Sequence, residues 1–227
     1  MKRWRWKNLC LHSRLGALAL LLGVTLAVAA VDVDRMLLSI TGRYGEKGGQ
    51  NFREWREMLG QAGALPEADK LRRVNEFFGR HIRFQSDQQV WKVVDYWATP
   101  LESLGQGAGD CEDYVIAKYF SLIELGVERS KLRWIYVVAT LGTPGNGVTE
   151  PHMVLGYYAT PGAEPLVLDN LTSSILPASR RPDLAPVFSF NSDGIWKQGA
   201  GTKSGSVDQL SLWRGLMQKM KDDGYEP

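Results

Sequence analysis

Cysteine is scarce in this chain of 227 residues: Cys10 and Cys111 are the only two. Cys10 stands ahead of a long apolar run and lacks the small neighbours of a lipoprotein site, so no lipid anchor is expected there. That leaves Cys111 alone, which excludes an intramolecular disulfide even in an oxidising compartment. Histidine is scarce as well, with His81 and His152 the only two beyond His12. No unit of 20 to 50 residues repeats, and 24 Gly and 10 Pro give no collagen-like or low-complexity bias. A solenoid and a disordered linker are thereby excluded. Charge of one sign is lacking too: the formal +2 comes from 27 basic and 25 acidic residues. Five of the basic ones, Lys2, Arg3, Arg5, Lys7 and Arg14, lie in the first fourteen positions. Without them 22 basic residues face 25 acidic ones, a net charge of −3. Nucleic acid then has no electrostatic reason to bind.

One long apolar run without charge, Leu15 through Val31 (LGALALLLGVTLAVAAV), follows the basic start and gives way to Asp32 and Asp34. This is the layout of an export signal, with an A-x-A site at Ala27 and Ala29. Cleavage after Ala29 or Ala30 makes residues 1–30 a signal peptide and 31–227 a single exported domain, long enough for one sizeable core. An uncleaved inner-membrane anchor is the competing reading, since a bilayer span needs ~20 apolar residues and tolerates about 17.

Beyond the signal, a short apolar patch (Met36, Leu37, Leu38, Ile40) precedes Phe52, Trp55, Met58 and Leu59, whose three- and four-residue spacing reads as a helix ending at Gly60. Pro66 opens a second helix with Leu71, Val74, Phe77 and Phe78 as its apolar stripe. A loop is expected from Gln85 through Trp97, Pro100 and the glycines 105, 107 and 109. It feeds a helix that starts at Asp110 or Cys111, with Asp110 placed as N-cap. Three runs rich in β-branched and aromatic residues follow, Leu132 to Thr140, His152 to Tyr158 and Leu166 to Asn170, read as an antiparallel meander. Pro177 to Gly205 reads as irregular, and Asp208 to Met220 as a closing amphipathic helix. Helices followed by an antiparallel sheet make the class α+β.

Chemistry gathers around Cys111. The first turn of a helix favours an anion and so lowers a thiol's pKa. A nucleophilic thiol also needs an imidazole to take its proton and a third group to orient that imidazole. If the hairpin loop is centred between Thr160 and Pro161, His152 lies opposite Asp169, within reach of a carboxylate. A one-residue slip would separate them. His81, between Arg80 and Arg83, reads as a solvated surface residue. Trp97 is either core or an indole N–H lining the acyl site. The neighbours Asp110, Glu112 and Asp113 work against a thiolate. Either they bind a hard cation such as calcium, or they are the acidic residues that any helix start favours.

The block DYWATPLESLGQGAGDCEDYVIAKY (Asp95 to Tyr119), then EPHMVLGY and LVLDN, resembles the bacterial transglutaminase-like cysteine proteinases of the LapG type. The resemblance spans most of the chain after the signal. It implies a papain-like, transglutaminase-like α+β fold and a triad of Cys111 as nucleophile, His152 as base and Asp169 as orienter. It implies a periplasmic address and a calcium requirement, the metal site carrying over to Asp110, Glu112 and Asp113. It further implies a large surface adhesin as substrate, cut in its N-terminal region after paired alanines to release cells from biofilm. An inner-membrane receptor for cyclic di-GMP would sequester the protease. Two other functions stay open. A peptidoglycan endopeptidase of Cys-His type carries D-C-S-G at its nucleophile, where this chain has Asp110, Cys111, Glu112, Asp113. A non-catalytic calcium-binding module would leave Cys111 unreactive.

Overall fold

The structure, a computed structural model, describes residues 33–142, 146–197 and 203–225. The segment read as an export signal, with Cys10, lies outside the described residues. Met36, Ile40, Phe52, Trp55 and Leu59 line the buried side of α1 (Val33–Ala62). The helix breaks at Gly45, whose φ of 73° is left-handed, so the two apolar stretches of the sequence are the arms of one bent element. In α2 (Glu67–His81), which follows Pro66 as expected, Leu71, Val74, Phe77 and Phe78 are buried.

β1 (Arg83–Phe84) follows α2, and the stretch expected to be loop contains α3 (Asp87–Val90) and α4 (Pro100–Gln106) and leads through β2 (Ala108–Gly109) into α5 (Cys111–Glu124). Both short helices start with capping boxes, Ser86 with Gln89 and Thr99 with Glu102. Those pairs are legible in sequence, but helices this short show no periodicity to accompany them. Where α4 crosses α1, Gly105 packs so closely that an added Cβ would stand 2.2 Å from the Tyr44 ring.

The sheet consists of β3 (Leu132–Leu141), β4 (Val148–Tyr157), β5 (Leu166–Leu168), β6 (Leu176–Pro177), β7 (Leu184–Asn191) and β8 (Gly194–Lys197). Its order is β6-β5-β4-β3-β7-β8 with every pairing antiparallel. The meander of β3, β4 and β5 is the expected one. The segment read as irregular instead supplies β7 and β8, and β7 pairs along the free side of β3. Pro186 and the register shift opposite Tyr136 and Val137 break the alternation that would have marked β7 in sequence.

Helix α5 packs on β4, and the core between helices and sheet centres on Trp134, which is fully buried. The rings of Trp97, Tyr119, Phe190 and Trp213 surround it at 5.2 to 5.5 Å. Trp213 belongs to the closing helix α6 (Ser211–Asp222). On the other face of the sheet Ile135, Val137, Val154 and Val167 form a smaller apolar cluster. No helix of the described residues is long and apolar enough to cross a membrane.

The crossing of α1 and α4 gives a direct test of packing. Gly105→Ala is expected to cost about 1–3 kcal/mol by overpacking against Tyr44, measured by urea unfolding. Wild-type stability would contradict the crossing.

Candidate active site

Asp110 occupies the N-cap position of α5 and Cys111 the first helical position. The thiol therefore sits at the positive end of the helix. The expected capping bond is not made: the Asp110 side chain accepts no helix N–H. Instead its Oδ1 is buried without a hydrogen-bond partner. The Cys111 thiol donates to Glu112 Oε2 at 2.7 Å. Burial, then the charge and hydrogen bond of Glu112, then the charge of Asp110 push the thiol pKa far above its ordinary value. The Met153 backbone N–H acts the other way and brings the sulfur against β4. With these carboxylates bare, Cys111 is held as a thiol.

His152 is the residue before Met153, inside β4 rather than at its start. It is buried, and its Nε2 lies 2.8 Å from Asp169 Oδ1. The hairpin register pairs Leu155 with Leu168 and Tyr157 with Leu166, two residues away from the register that sets His152 opposite Asp169. A shift of two keeps both side chains on one face, and the diagonal is short enough for an imidazole to span. Because Nε2 meets the carboxylate, Nδ1 is the nitrogen left to accept a proton.

Asp169 follows the last residue of β5 and is fixed from several sides. Its Oδ1 also accepts the N–H groups of Asn170 (2.7 Å) and Leu171 (3.2 Å). Its Oδ2 accepts Arg181 Nη2 at 2.7 Å, and Arg181 is itself held by Asp183. Burial alone would raise this carboxyl's pKa. The hydrogen bonds and charges of His152 and Arg181, with the Leu171 N–H, outweigh it and bring the value down to about 2. Sequence spacing gave no hint of Arg181. Nor did it single out Lys118, a cation in an otherwise apolar stretch, whose Nζ donates to the Asp169 carbonyl at 2.9 Å.

A second cluster adjoins the thiol. Asp87, Asp110 and Asp113 each offer a carboxylate oxygen within 4.8 Å of the others. Asp87 Oδ1, Asp110 Oδ1 and Asp113 Oδ2 are buried without any hydrogen-bond partner. Burial first, then the charge of neighbouring carboxylates, Glu112 among them in every case, raise all three pKa values, Asp87 to about 6 and Asp113 to about 8, while backbone N–H groups oppose this at Asp87 and Asp113. One of these is the Ala98 N–H, which donates to Asp113 Oδ1 at 2.8 Å. Asp113 packs on Gly109, where any Cβ would stand 2.6 Å from Oδ2. Buried oxygens that converge with no donor are suited to a hard divalent cation. Asp87 was not legible as part of this group, because it arrives from α3, more than twenty residues upstream. Glu112, by contrast, is turned to the thiol. Trp97 is 7% exposed and stacks on Phe190, so its ring is part of the core. His81 pairs with Glu54 at 2.7 Å and stacks on Phe77, and takes no part in either cluster.

The family profile described as bacterial transglutaminase-like cysteine proteinase matches residues 57–183, a span that contains Cys111, His152 and Asp169. The chain belongs to that family. Among solved structures it is similar to LapG of Legionella pneumophila in its EGTA-treated form, with 36% identity and a TM-score of 0.72 over 83% of this chain and 97% of that one. Against the calcium-bound form of LapG the identity is 37% and the TM-score 0.69, over 83% and 98%. No curated protein matches. The mixed helix and antiparallel-sheet architecture is thus the transglutaminase-like cysteine protease fold.

The depressed pKa of Asp169 has a consequence for this proteinase in acid. A carboxyl stabilised as its anion contributes fully above its unfolded value of about 3.9 and loses that contribution as pH falls through about 2. We expect about 2 kcal/mol to disappear between pH 5 and 2. Denaturant unfolding of wild type and Asp169→Asn should show the gap between them narrowing over that window. A gap constant with pH would contradict the assignment.

Proposed function

We propose that this proteinase is an exported, calcium-dependent endopeptidase in which Cys111 is the nucleophile, His152 the base and Asp169 the orienter. The observation that carries it is the Nε2 to Oδ1 bond at 2.8 Å between His152 and Asp169, one residue from the Met153 N–H that meets the Cys111 sulfur. In this reading Nδ1 of His152 takes the thiol proton and the thiolate adds to the scissile carbonyl. The imidazolium then protonates the leaving amine, and water, deprotonated by the same imidazole, hydrolyses the thioester to regenerate the thiol. Asp169 holds the ring in one tautomer, and Arg181 holds Asp169. Trp97, 7% exposed, is the residue proposed to line the acyl site.

Asp87, Asp110 and Asp113 are the residues proposed to hold calcium. The ligand set differs from the one the sequence suggests by adding Asp87 and leaving Glu112 beside the thiol. Calcium bound there supplies the positive charge that offsets the carboxylates and removes Asp110 as an anion acting on the sulfur. That LapG has been seen with calcium and after EGTA treatment supports this reading. The N-terminal signal supports a periplasmic site of action. The family likeness supports a large surface adhesin as substrate, cleaved near paired alanines to disperse biofilm, and control by an inner-membrane cyclic di-GMP receptor. A peptidoglycan endopeptidase or a non-catalytic calcium-binding module fits these residues less well, because His152 is hydrogen-bonded to Asp169 and Cys111 is flanked by acids rather than by the D-C-S-G pattern.

Cys111→Ala, Cys111→Ser and His152→Ala should each lower cleavage of an adhesin N-terminal fragment by about 1000-fold or more while leaving the fold intact. Full activity in Cys111→Ser would sink the nucleophile assignment. A calcium chelator should stop cleavage, with calcium restoring it and magnesium restoring it poorly. Calorimetry should show calcium affinity lost in Asp87→Asn and largely kept in Glu112→Gln. The reverse result would return the metal site to the set suggested by the sequence.

A further inference from the structure

Lys118 is 1% exposed, within the run of buried residues from Asp113 to Leu122 on α5. It stands seven residues after Cys111, two turns along the same side of one helix. Its ammonium donates to the Asp169 carbonyl at 2.9 Å and lies 5.5 Å over the Tyr114 ring. Among the described residues no carboxylate forms an ion pair with it. The charge that faces it is the Asp169 carboxylate, beyond which come His152 and Arg181. Burial brings its pKa down to about 7 against that partial compensation.

An ammonium without an ion pair is expensive to bury, and an apolar side chain of the same length would fill the place without that cost. What the ammonium provides is a donor for a carbonyl just past the last β4–β5 pair, Leu155 with Leu168. Asp169 is where the chain leaves the sheet, and this bond ties its carbonyl to α5. We propose that Lys118 is a positioning residue for the triad: it clamps the Asp169 main chain to the helix that carries Cys111, and so sets the carboxylate that orients His152. This rests on the triad assignment above. Nucleophile and orienter are then referenced to one rigid element, although they come from segments more than fifty residues apart.

The test uses the calcium-loaded exported chain and the variant Lys118→Met, which keeps length and packing but removes donor and charge. The melting temperature should hold or rise, because a buried charge has been removed. At the same time kcat should fall about 10- to 100-fold with KM little changed, as expected for misplacement of a group far from the bond being cut. The His152 Nε2–H resonance, carried downfield by its bond to Asp169, should move back or broaden. Lys118→Gln, which keeps an N–H donor, should recover part of both, and serves in its place if Lys118→Met does not fold. Wild-type kcat with an unmoved His152 resonance would make Lys118 a packing residue and overturn the proposal. The resonance needs no turnover. Should Cys111→Ala prove fully active, the triad reading fails by itself, and the His152 signal still decides whether Lys118 positions Asp169.

Discussion

Everything at this site depends on how four carboxylates are tolerated around one half-buried thiol. Asp87, Asp110 and Asp113 converge with unpartnered oxygens, and Glu112 holds the thiol itself. The helix-end field acting on a first-turn anion is worth about 0.3–1 kcal/mol, too little to offset several like charges in a site removed from water. With the carboxylates bare, the arrangement opposes the chemistry proposed for Cys111. A divalent cation held there would offset two of those negative charges, and so would join metal binding to reactivity in one electrostatic step.

The rest of the structure keeps the participants in place. Helix α5 presents the thiol at its start and a buried cation two turns later, while β4 brings Met153 to the sulfur and His152 to Asp169. Arg181 and Asp183 complete a chain of charges that keeps the Asp169 carboxylate ionised. The aromatic cluster around Trp134 packs α6 and β7 against β3, the strand paired with the one that carries His152. The residues that do chemistry are thus few, and most of the core serves to hold their spacing.

How much of this was legible in sequence follows from the range of each signal. Periodicity marked α1, α2, α5 and the meander because each is long enough to repeat. It failed for α3 and α4, which are too short, and for β7, where Pro186 and a bulge disturb the alternation. The hairpin register was out by two, yet His152 and Asp169 still met, because face parity survives an even shift. Cys111, His152 and Asp169, the residues proposed for the triad, could be picked out by residue type, since the sequence after residue 30 has one cysteine and two histidines. Asp87, Lys118 and Arg181 could not. They act across the fold, and nothing in local spacing tells a carboxylate on α3 that it will stand beside Asp110.

The claim that a cation governs the thiol can be measured without any substrate. The rate of Cys111 alkylation by iodoacetamide at neutral pH should be slow in chelator and rise several-fold or more on addition of calcium, as the surrounding carboxylates are offset. Equal rates in calcium and chelator would contradict the account, since they would mean that the acidic cluster and the nucleophile are electrostatically independent.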